Sequence, residues 1–417
     1  GASIEHPVII VCRVSVTTVQ ACVQNRPLPL QVSMRRRLEV VSGTLLINPS
    51  SVRNVGSFGV DMDPLSQAVL GSVASQSVRN KTSLIRVGTI GALAGMAPDL
   101  DVLIQSATDP LLSLEYHRQF THSLIFIPLG AALCALAFWP FVRRHMSYQQ
   151  VWLVALVGYA THGLLDACTT YGTMLLWPFS DARIAWSNIS VVDPLFTLPL
   201  LAAAVLAGVN QSVLIARLGM VWGLMYLAFG LVQQDRATTA GEALAASRGH
   251  DRVAVSSKPS FGNILLWKVI YEHDDRYYVD AVRVATGIQL LEGDNVARLQ
   301  IEMHFPWLDA RSQQAEDLER FRWFSRDYLA VDEDDSQFVV DMRYSLLPNE
   351  IKGLWGIRLD ATLSQDQHVE WTAERSAGAE RFDELFGLLA GHDERLVELP
   401  QALRRESLKT ERFSNSN

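Results

Sequence analysis

Two polar residues stand on one helical face inside a stretch that is otherwise apolar enough for a lipid bilayer. In "THGLLDACTTYG", His162 and Asp166 are four residues apart, so their side chains lie about one helical turn from each other, and Thr169 continues the same face. Imidazole and carboxylate together suit zinc, manganese or iron(II). This spacing therefore predicts a metal-binding pair on a helix.

Two further motifs carry ionisable side chains next to apolar sequence. In "PDLD", Pro98 ends a helix, and an extended chain would send the carboxylates of Asp99 and Asp101 to the same side. In "YHRQFTHS", His117 and His122 are about 140° apart around a helix, so they converge only where the chain turns. Ionisable groups at membrane depth cost a few kcal/mol each, so they pair, line water or bind a ligand.

The composition indicates a membrane protein with a soluble part. The chain has 417 residues, of which 49% are hydrophobic and 19% are charged. Its formal charge of -8, without a basic cluster, argues against a nucleic-acid partner. The four cysteines lack CxxC spacing, so they predict neither a disulfide framework nor a thiolate metal site.

Hydropathy predicts an α-helical integral membrane bundle of about four to six spans. The four strongest candidates are residues 123–142, 151–167, 194–209 and 212–232. Two weaker helices, 64–78 and 83–98, are rich in small residues, which favours close packing inside the bundle, although a soluble core helix is an equal alternative.

The remaining segments differ in character. Residues 1–61 are predicted to be a disordered leader or an over-extended start, followed by the membrane-embedded domain at 62–233. Residues 234–252 read as an amphipathic helix or linker. Runs rich in Val, Ile, Tyr, Phe and Trp, among them "NVARLQIEMHF" and "RFRWFSRDYLAV", predict strands of a small β-rich soluble domain at 253–372. A charged C-terminal helix and tail, 373–417, complete the chain.

The distribution of basic residues orients the predicted helices. The cytoplasmic side is assigned to Arg79, Lys81, Arg86, Arg143, Arg144 and Arg217. The helices then alternate in direction, and the candidate polar residues all emerge at the opposite face: Asp99, Asp101, His117, His122, His162, Asp166 and Asp193. The site and the C-terminal domain are therefore predicted on the extracytoplasmic side.

Five blocks resemble a known family in order and spacing: "MDPLSQAVLG", "APDLDVL", "YHRQFTHSL", "THGLLDACTTYGTMLLWPFSDARIAW" and "VVDPLFTLPLL". This family is the bacterial and archaeal predicted membrane-bound metal-dependent hydrolases, which include the LexA-regulated inner-membrane hydrolases. The resemblance implies a multi-pass protein of the cytoplasmic (inner) membrane and a divalent metal ion, zinc first, with manganese or iron as alternatives. Distant similarity to zinc-dependent phospholipases C implies phospholipid-like or other lipidic ester or phosphoester substrates, so membrane lipids are the expected partners.

The family pattern places its polar signature on Asp99, Asp101, His117, His122, His162 and Asp166. We expect His117, His122, His162 and Asp166 to bind the metal, with Asp99 or Asp101 completing the set or acting as base.

Other positions leave alternatives open. Arg118 is expected to clamp a phosphate or, alternatively, to be a surface arginine. Gln67 stands where other members can carry histidine, and an amide is a poorer ligand. A non-catalytic membrane protein, in which the polar cluster handles metal or protons or only packs, is the competing interpretation. The sequence leaves the oligomeric state open.

Overall fold

The structure, a computed structural model, describes residues 63–78, 82–373 and 379–399, so the predicted leader and tail lie outside the described residues. The first half of the described chain is helical, as predicted. Its elements are α1 (Pro64–Val78), α2 (Leu84–Met96), a 3-10 helix (Ala97–Leu103), α3 (Leu112–Tyr116), a one-turn 3-10 helix (Phe120–His122), α4 (Ile127–Val142), α5 (Tyr148–Cys168), α6 (Pro194–Asn210) and α7 (Val213–Ser247).

Two of these helices, α5 and α7, are long and apolar enough to cross a membrane, which is fewer than the four to six spans expected. A third span is possible if Leu112–His122 and Ile127–Val142, bent by 87°, count as one, whereas α6 is shorter. The helices expose large apolar side chains at their outer surface, including Leu133, Phe141, Leu198, Val209, Leu218 and Met225. Such a surface suits contact with lipid.

The helices α1, α2 and α5 approach each other through glycines. A Cβ atom on Gly158 of α5 would lie 2.4 Å from the carbonyl oxygen of Gly91 in α2, and a Cβ on Gly71 of α1 would lie 2.5 Å from the same oxygen. Small residues allow backbones to come this close. The close packing brings the Gly95 carbonyl of α2 beside α5, where its oxygen lies 2.5 Å from His162 Nδ1.

We expect Gly158→Ala to destabilise the helical domain by about 1–3 kcal/mol, because overpacking against a backbone carbonyl cannot be relieved by a rotamer change. Gly223→Ala in α7 is the matched control, since its Cβ would meet side-chain carbons no closer than 3.6 Å. Melting temperatures in detergent compare the two variants. Equal stability of both would contradict the proposed close contact.

The long helix α7 continues beyond its apolar part and supports the second domain. The segment after Gln233 is helical as far as Ser247, and its residues Ala237, Ala240 and Leu244 are buried in a core shared with the sheet. The Gln233 Nε2 donates to the carbonyl oxygen of Val284 at 2.7 Å. Small side chains on α7 let it lie flat on the strands, so the β-rich domain packs directly on the helix.

The second half is rich in antiparallel strands, which confirms the predicted β-rich domain. One sheet has the order β1 (Ser256–Pro259), β2 (Leu266–His273), β3 (Arg276–Val284), β4 (Ile288–Leu291) and β10 (Val397–Glu398), with β5 (Asn295–Ala297) also pairing with β3. A second sheet has the order β6 (Leu329–Val331), β7 (Phe338–Asp341), β8 (Trp355–Arg358) and β9 (Glu370–Ala373). The helices of this part are α8 (Ile301–His304), α9 (Gln313–Ser325) and α10 (Ala379–Ala390).

Two strand predictions were partly wrong. "RFRWFSRDYLAV" begins inside α9, and only its end forms β6; likewise "NVARLQIEMHF" contains β5 and then α8. The Ser312 hydroxyl caps α9 by accepting from the Ala315 amide, and Leu318 and Phe321 are both fully buried at helical spacing. At the C-terminus, α10 ends at Ala390 and the chain returns as β10, so the charged helix is shorter than predicted.

Candidate metal centre

Four side chains from three chain segments converge at the end of the helical domain. Asp99 follows α2, His122 precedes α4, and His162 and Asp166 lie on α5. The two histidine Nε2 atoms are 2.9 Å apart. Asp99 Oδ1 lies 3.1 Å from His162 Nε2 and 3.4 Å from His122 Nε2. Asp166 Oδ2 lies 3.1 Å from His122 Nε2 and 3.5 Å from His162 Nε2.

These separations fit a common bound ion. Around tetrahedral zinc, with bonds of about 2.0–2.1 Å to nitrogen and oxygen, neighbouring ligand atoms are about 3.3 Å apart. The five distances from 2.9 to 3.5 Å bracket that value. Two imidazoles and two carboxylates are also a donor set that zinc, manganese and iron accept.

The outer nitrogen of each imidazole defines its tautomer. His162 Nδ1 lies 2.5 Å from the carbonyl oxygen of Gly95, and His122 Nδ1 lies 3.2 Å from Asp101 Oδ2. Both oxygens only accept, so each Nδ1 carries a proton, and when both rings are neutral each presents an Nε2 lone pair to the other. A cation between the lone pairs removes their repulsion, and such outer partners are typical of metal-bound histidines.

The charge of the site also favours a divalent cation. His122, His162 and Asp166 are buried, whereas the Asp99 side chain is 17% exposed. The carboxylates of Asp99, Asp101 and Asp166 carry three negative charges, and Arg118, whose Nε is 3.4 Å from Asp166 Oδ2, supplies one positive charge. Buried charge is costly without compensation, so two further positive charges are needed, from a divalent cation when both imidazoles are neutral or from two added protons without one.

Asp101 and His117 lie behind this group of four. Residues 97–103 form a 3-10 helix rather than the expected extended chain, so Asp99 and Asp101 reach different partners. Asp101 Oδ1 lies 2.8 Å from His117 Nδ1, and its Oδ2 accepts from the Arg118 amide at 3.0 Å and from the Thr121 hydroxyl at 2.8 Å. Asp101 therefore orients His117 and His122.

Asp101 remains ionised in this setting. Burial raises the pKa of its carboxyl. The hydrogen bonds and charges of His117 and His122 outweigh this effect and hold the pKa well below its usual range. The ligand atoms of Asp99, Asp101 and His117 also lie within 4.8 Å of one another, so Asp99 is common to both clusters. A second ion beside the first would use these three residues.

Two other residues take places that the sequence did not assign. Gln67 of α1 is buried, and its Nε2 donates to Asp166 Oδ1 at 2.9 Å, so the amide holds a carboxylate instead of binding metal itself. Asp193 does not join the cluster. It caps α6 by accepting from the Leu195 amide at 3.1 Å and accepts from the Tyr226 hydroxyl at 2.9 Å.

Gln67→Ala is expected to weaken metal binding about tenfold, because the loss of an outer partner typically costs 10–100-fold and Asp166 itself stays in place. The matched control is Gln76→Ala, a second buried glutamine of α1 whose amide instead donates to the carbonyls of Leu84 and Ala204. Competition with a metal-binding dye in detergent measures both affinities. Equal affinities for the two variants would show that the contact between Gln67 and Asp166 has no influence on the ion.

Arg118 links the site to the β-rich domain. It is fully buried, which excludes the alternative of a surface arginine. Its Nη1 donates to the Thr169 hydroxyl at 3.3 Å, and its guanidinium carbon lies 5.2 Å from the ring centre of Tyr171. The Tyr171 ring in turn stacks on Tyr344 at 4.7 Å. Nε and Nη2 of Arg118 have no hydrogen-bond partner among the described residues.

The helical domain matches the YdjM inner membrane protein family over residues 62–237, a range that includes every residue of the centre. The inner membrane protein YbcI of Escherichia coli (strain K12) is 31% identical over 146 residues, which cover 34% of this chain and 80% of that protein. The uncharacterized protein YfhP of Bacillus subtilis (strain 168) is 27% identical over 137 residues, which cover 32% of this chain and 41% of that protein.

The chain therefore belongs to the YdjM inner membrane protein family and is a membrane protein, as its apolar helices also indicate. No solved structure matches the chain.

Proposed function

We propose that this protein is a membrane-bound metal-dependent hydrolase that cleaves phospholipid-like or other lipidic ester or phosphoester bonds. One observation carries the proposal: the Nε2 atoms of His122 and His162 lie 2.9 Å from each other and 3.1–3.5 Å from carboxylate oxygens of Asp99 and Asp166, and each Nδ1 faces an oxygen. Zinc is the first candidate for the ion, and manganese and iron suit the same ligands.

The chemistry divides between the ion and the surrounding side chains. A divalent ion bound here would lower the pKa of water and polarise a phosphoryl or acyl oxygen. Asp99, the partly exposed ligand, can accept a proton from an attacking water. The Nη2 of Arg118 can donate to a phosphoryl oxygen while its Nε faces Asp166, and Asp101 holds His122 in position.

The surface around the site favours a lipidic substrate. Leu100, between the two aspartates, is 64% exposed, and Leu103 is 75% exposed. Phe179 and Trp186, in the loop between α5 and α6, are exposed as well. Exposed aromatic and aliphatic side chains beside polar residues are typical of the membrane interface, where a lipid head group would meet the ion.

The direct test is hydrolysis by the purified protein in detergent. Phosphodiester and carboxylic ester substrates with acyl chains are offered before chelation, after chelation, and after zinc, manganese or iron is restored. We expect chelation to abolish turnover and one of the three metals to restore it. His162→Ala should show no turnover under any of these conditions. Activity that survives chelation, or that His162→Ala retains, would refute the proposal.

The proposed orientation places the centre and the β-rich domain on the extracytoplasmic side. It rests on the basic residues, including Arg143 and Arg144 at the opposite end of α4 from His122. A topology reporter fused after Arg144 is expected to read cytoplasmic, and one fused after Gln234 extracytoplasmic. If both fusions read the same side, the orientation is wrong.

A non-catalytic metal-handling role is the second candidate, and the complete burial of His162 and Asp166 favours it, because a buried ion has little access for substrate. Tight stoichiometric metal in a protein that turns over none of the substrates would support this role.

A further inference from the structure

A polar cavity of about 320 Å³ lies between the helical domain and the β-rich domain, apart from the metal centre. Its walls come from the loop between α5 and α6, the polar part of α7, β1 and the end of α9. Three cationic side chains face it, Lys258, Arg326 and Arg343, and no carboxylate lines it. The cavity therefore offers a strongly electropositive environment.

The lysine in this cavity lacks a counter-ion. Lys258 is only 6% exposed, and its Nζ donates to the Ser256 hydroxyl at 2.7 Å and lies 4.9 Å from the ring centre of Tyr328. Lys258 forms no ion pair with any residue that the structure describes. A buried ammonium without an anion carries a large desolvation cost, so a bound anion would stabilise it.

The two arginines differ in how they are held. Arg343 is paired with Asp341 at 2.6 Å and donates to the carbonyl oxygen of Phe324. Arg326 donates to the carbonyl oxygen of Arg183, has no carboxylate partner in the described part of the chain, and is exposed. When Lys258 is protonated, the three cations and Asp341 sum to two positive charges. Arg326, which is exposed, connects the cavity to the surface.

Burial, together with the charges of Arg343 and Arg326, lowers the pKa of Lys258 to about 7. The carboxylate of Asp341 offsets only part of this effect, and an anion bound in the cavity would raise the pKa again. Hydroxyl groups of Thr170, Ser187 and Ser257 line the same space and supply neutral donors.

We propose that this cavity binds a phosphate group, either as free phosphate or as the phosphate monoester of a lipid head group. A doubly charged phosphate matches the two unbalanced positive charges, and its oxygens accept from ammonium, guanidinium and hydroxyl donors. The site needs no metal, and the proposal is independent of the hydrolytic function proposed above. Its position between the domains means that a bound phosphate would join the α5–α6 loop to β1.

The test is ligand-dependent stabilisation of the full chain. In detergent, melting temperature is followed against inorganic phosphate, with chloride at matched ionic strength as reference. In nanodiscs, phosphatidylcholine is compared with phosphatidylcholine containing phosphatidic acid. Stabilisation by inorganic phosphate assigns free phosphate as a ligand, and stabilisation by phosphatidic acid alone assigns the lipid source.

Variants connect the effect to the cavity. Lys258→Met and Arg326→Gln should each weaken the apparent affinity about tenfold or more, because each removes a charge-assisted hydrogen bond. Arg326 is exposed, so Arg326→Gln should fold normally and still test phosphate affinity even if Lys258→Met folds poorly. Lys352→Met, outside the cavity, removes the same charge and should leave the affinity unchanged. The proposal is overturned if neither phosphate source stabilises the protein, or if both cavity variants respond like Lys352→Met.

Discussion

Asp166→Asn loses bound metal while the protein stays folded: this is the largest single effect that the centre predicts. The amide keeps the volume of the carboxylate but removes the negative charge that offsets a cation. Outer partners alone are typically worth 10–100-fold in metal affinity or activity, so the loss of a direct ligand should cost at least about 100-fold. Metal content after dialysis and turnover of a lipidic phosphoester measure the effect.

The control for Asp166→Asn is Asp193→Asn, because Asp193 is a buried carboxylate of the same domain that lies outside the cluster and contacts Tyr226. It should retain its metal. Asp166→Leu separates packing from charge: a packing role predicts that it changes mainly stability and that Asp166→Asn is nearly silent. Full metal content in Asp166→Asn would exclude Asp166 as a ligand.

Arg118→Lys is expected to keep the metal but to lower phosphoester turnover by about 100-fold or more. The lysine preserves a positive charge beside Asp166 but loses the planar guanidinium, whose unpaired Nη2 would donate to a phosphoryl oxygen. Removal of one donor to the charge that develops in a transition state typically costs 10²–10³ in rate. Rates on a phosphodiester and on a neutral carboxylic ester, with metal content beside them, distinguish this loss from unfolding.

The neutral ester is the internal control for Arg118→Lys, since it lacks the phosphoryl charge that the guanidinium would bind. We expect a smaller loss on this substrate. An equal loss on both substrates, together with lower metal content and melting temperature, would assign Arg118 a structural role between Asp166 and Tyr171. Unchanged turnover on the phosphodiester would exclude the clamp.

Local features of the helical half were predictable from the sequence alone. Hydropathy predicted α1 at residues 64–78 and located α2 and α4 to α7 to within a few residues at most of their ends, apart from the C-terminal end of α7. The shared face of His162 and Asp166 also followed, because four-residue spacing determines it in any α-helix. These properties depend on neighbouring residues in the chain.

The β-rich half was predicted less well, because its residues are buried by distant partners. The aromatic residues of α9 predicted a strand. In the helix that Ser312 caps, however, the buried residues Leu318, Phe321 and Phe324 are three positions apart and share one face. The extension of α7 depended on burial against β-strands that follow it in the chain. Composition left an amphipathic helix and a linker open there, and the structure shows the helix as far as Ser247.

The composition of the metal centre was decided by tertiary structure. The sequence by itself determined which ionisable residues stand next to apolar segments and the spacing of His162 and Asp166. Only the fold placed Asp99 beside His122 and His162, moved His117 behind Asp101, and brought Gln67 to Asp166 across 99 positions of sequence. The physical reason is that ligand geometry requires atoms within a few ångströms of one another, and residues from separate segments reach such distances only when the helices that carry them pack.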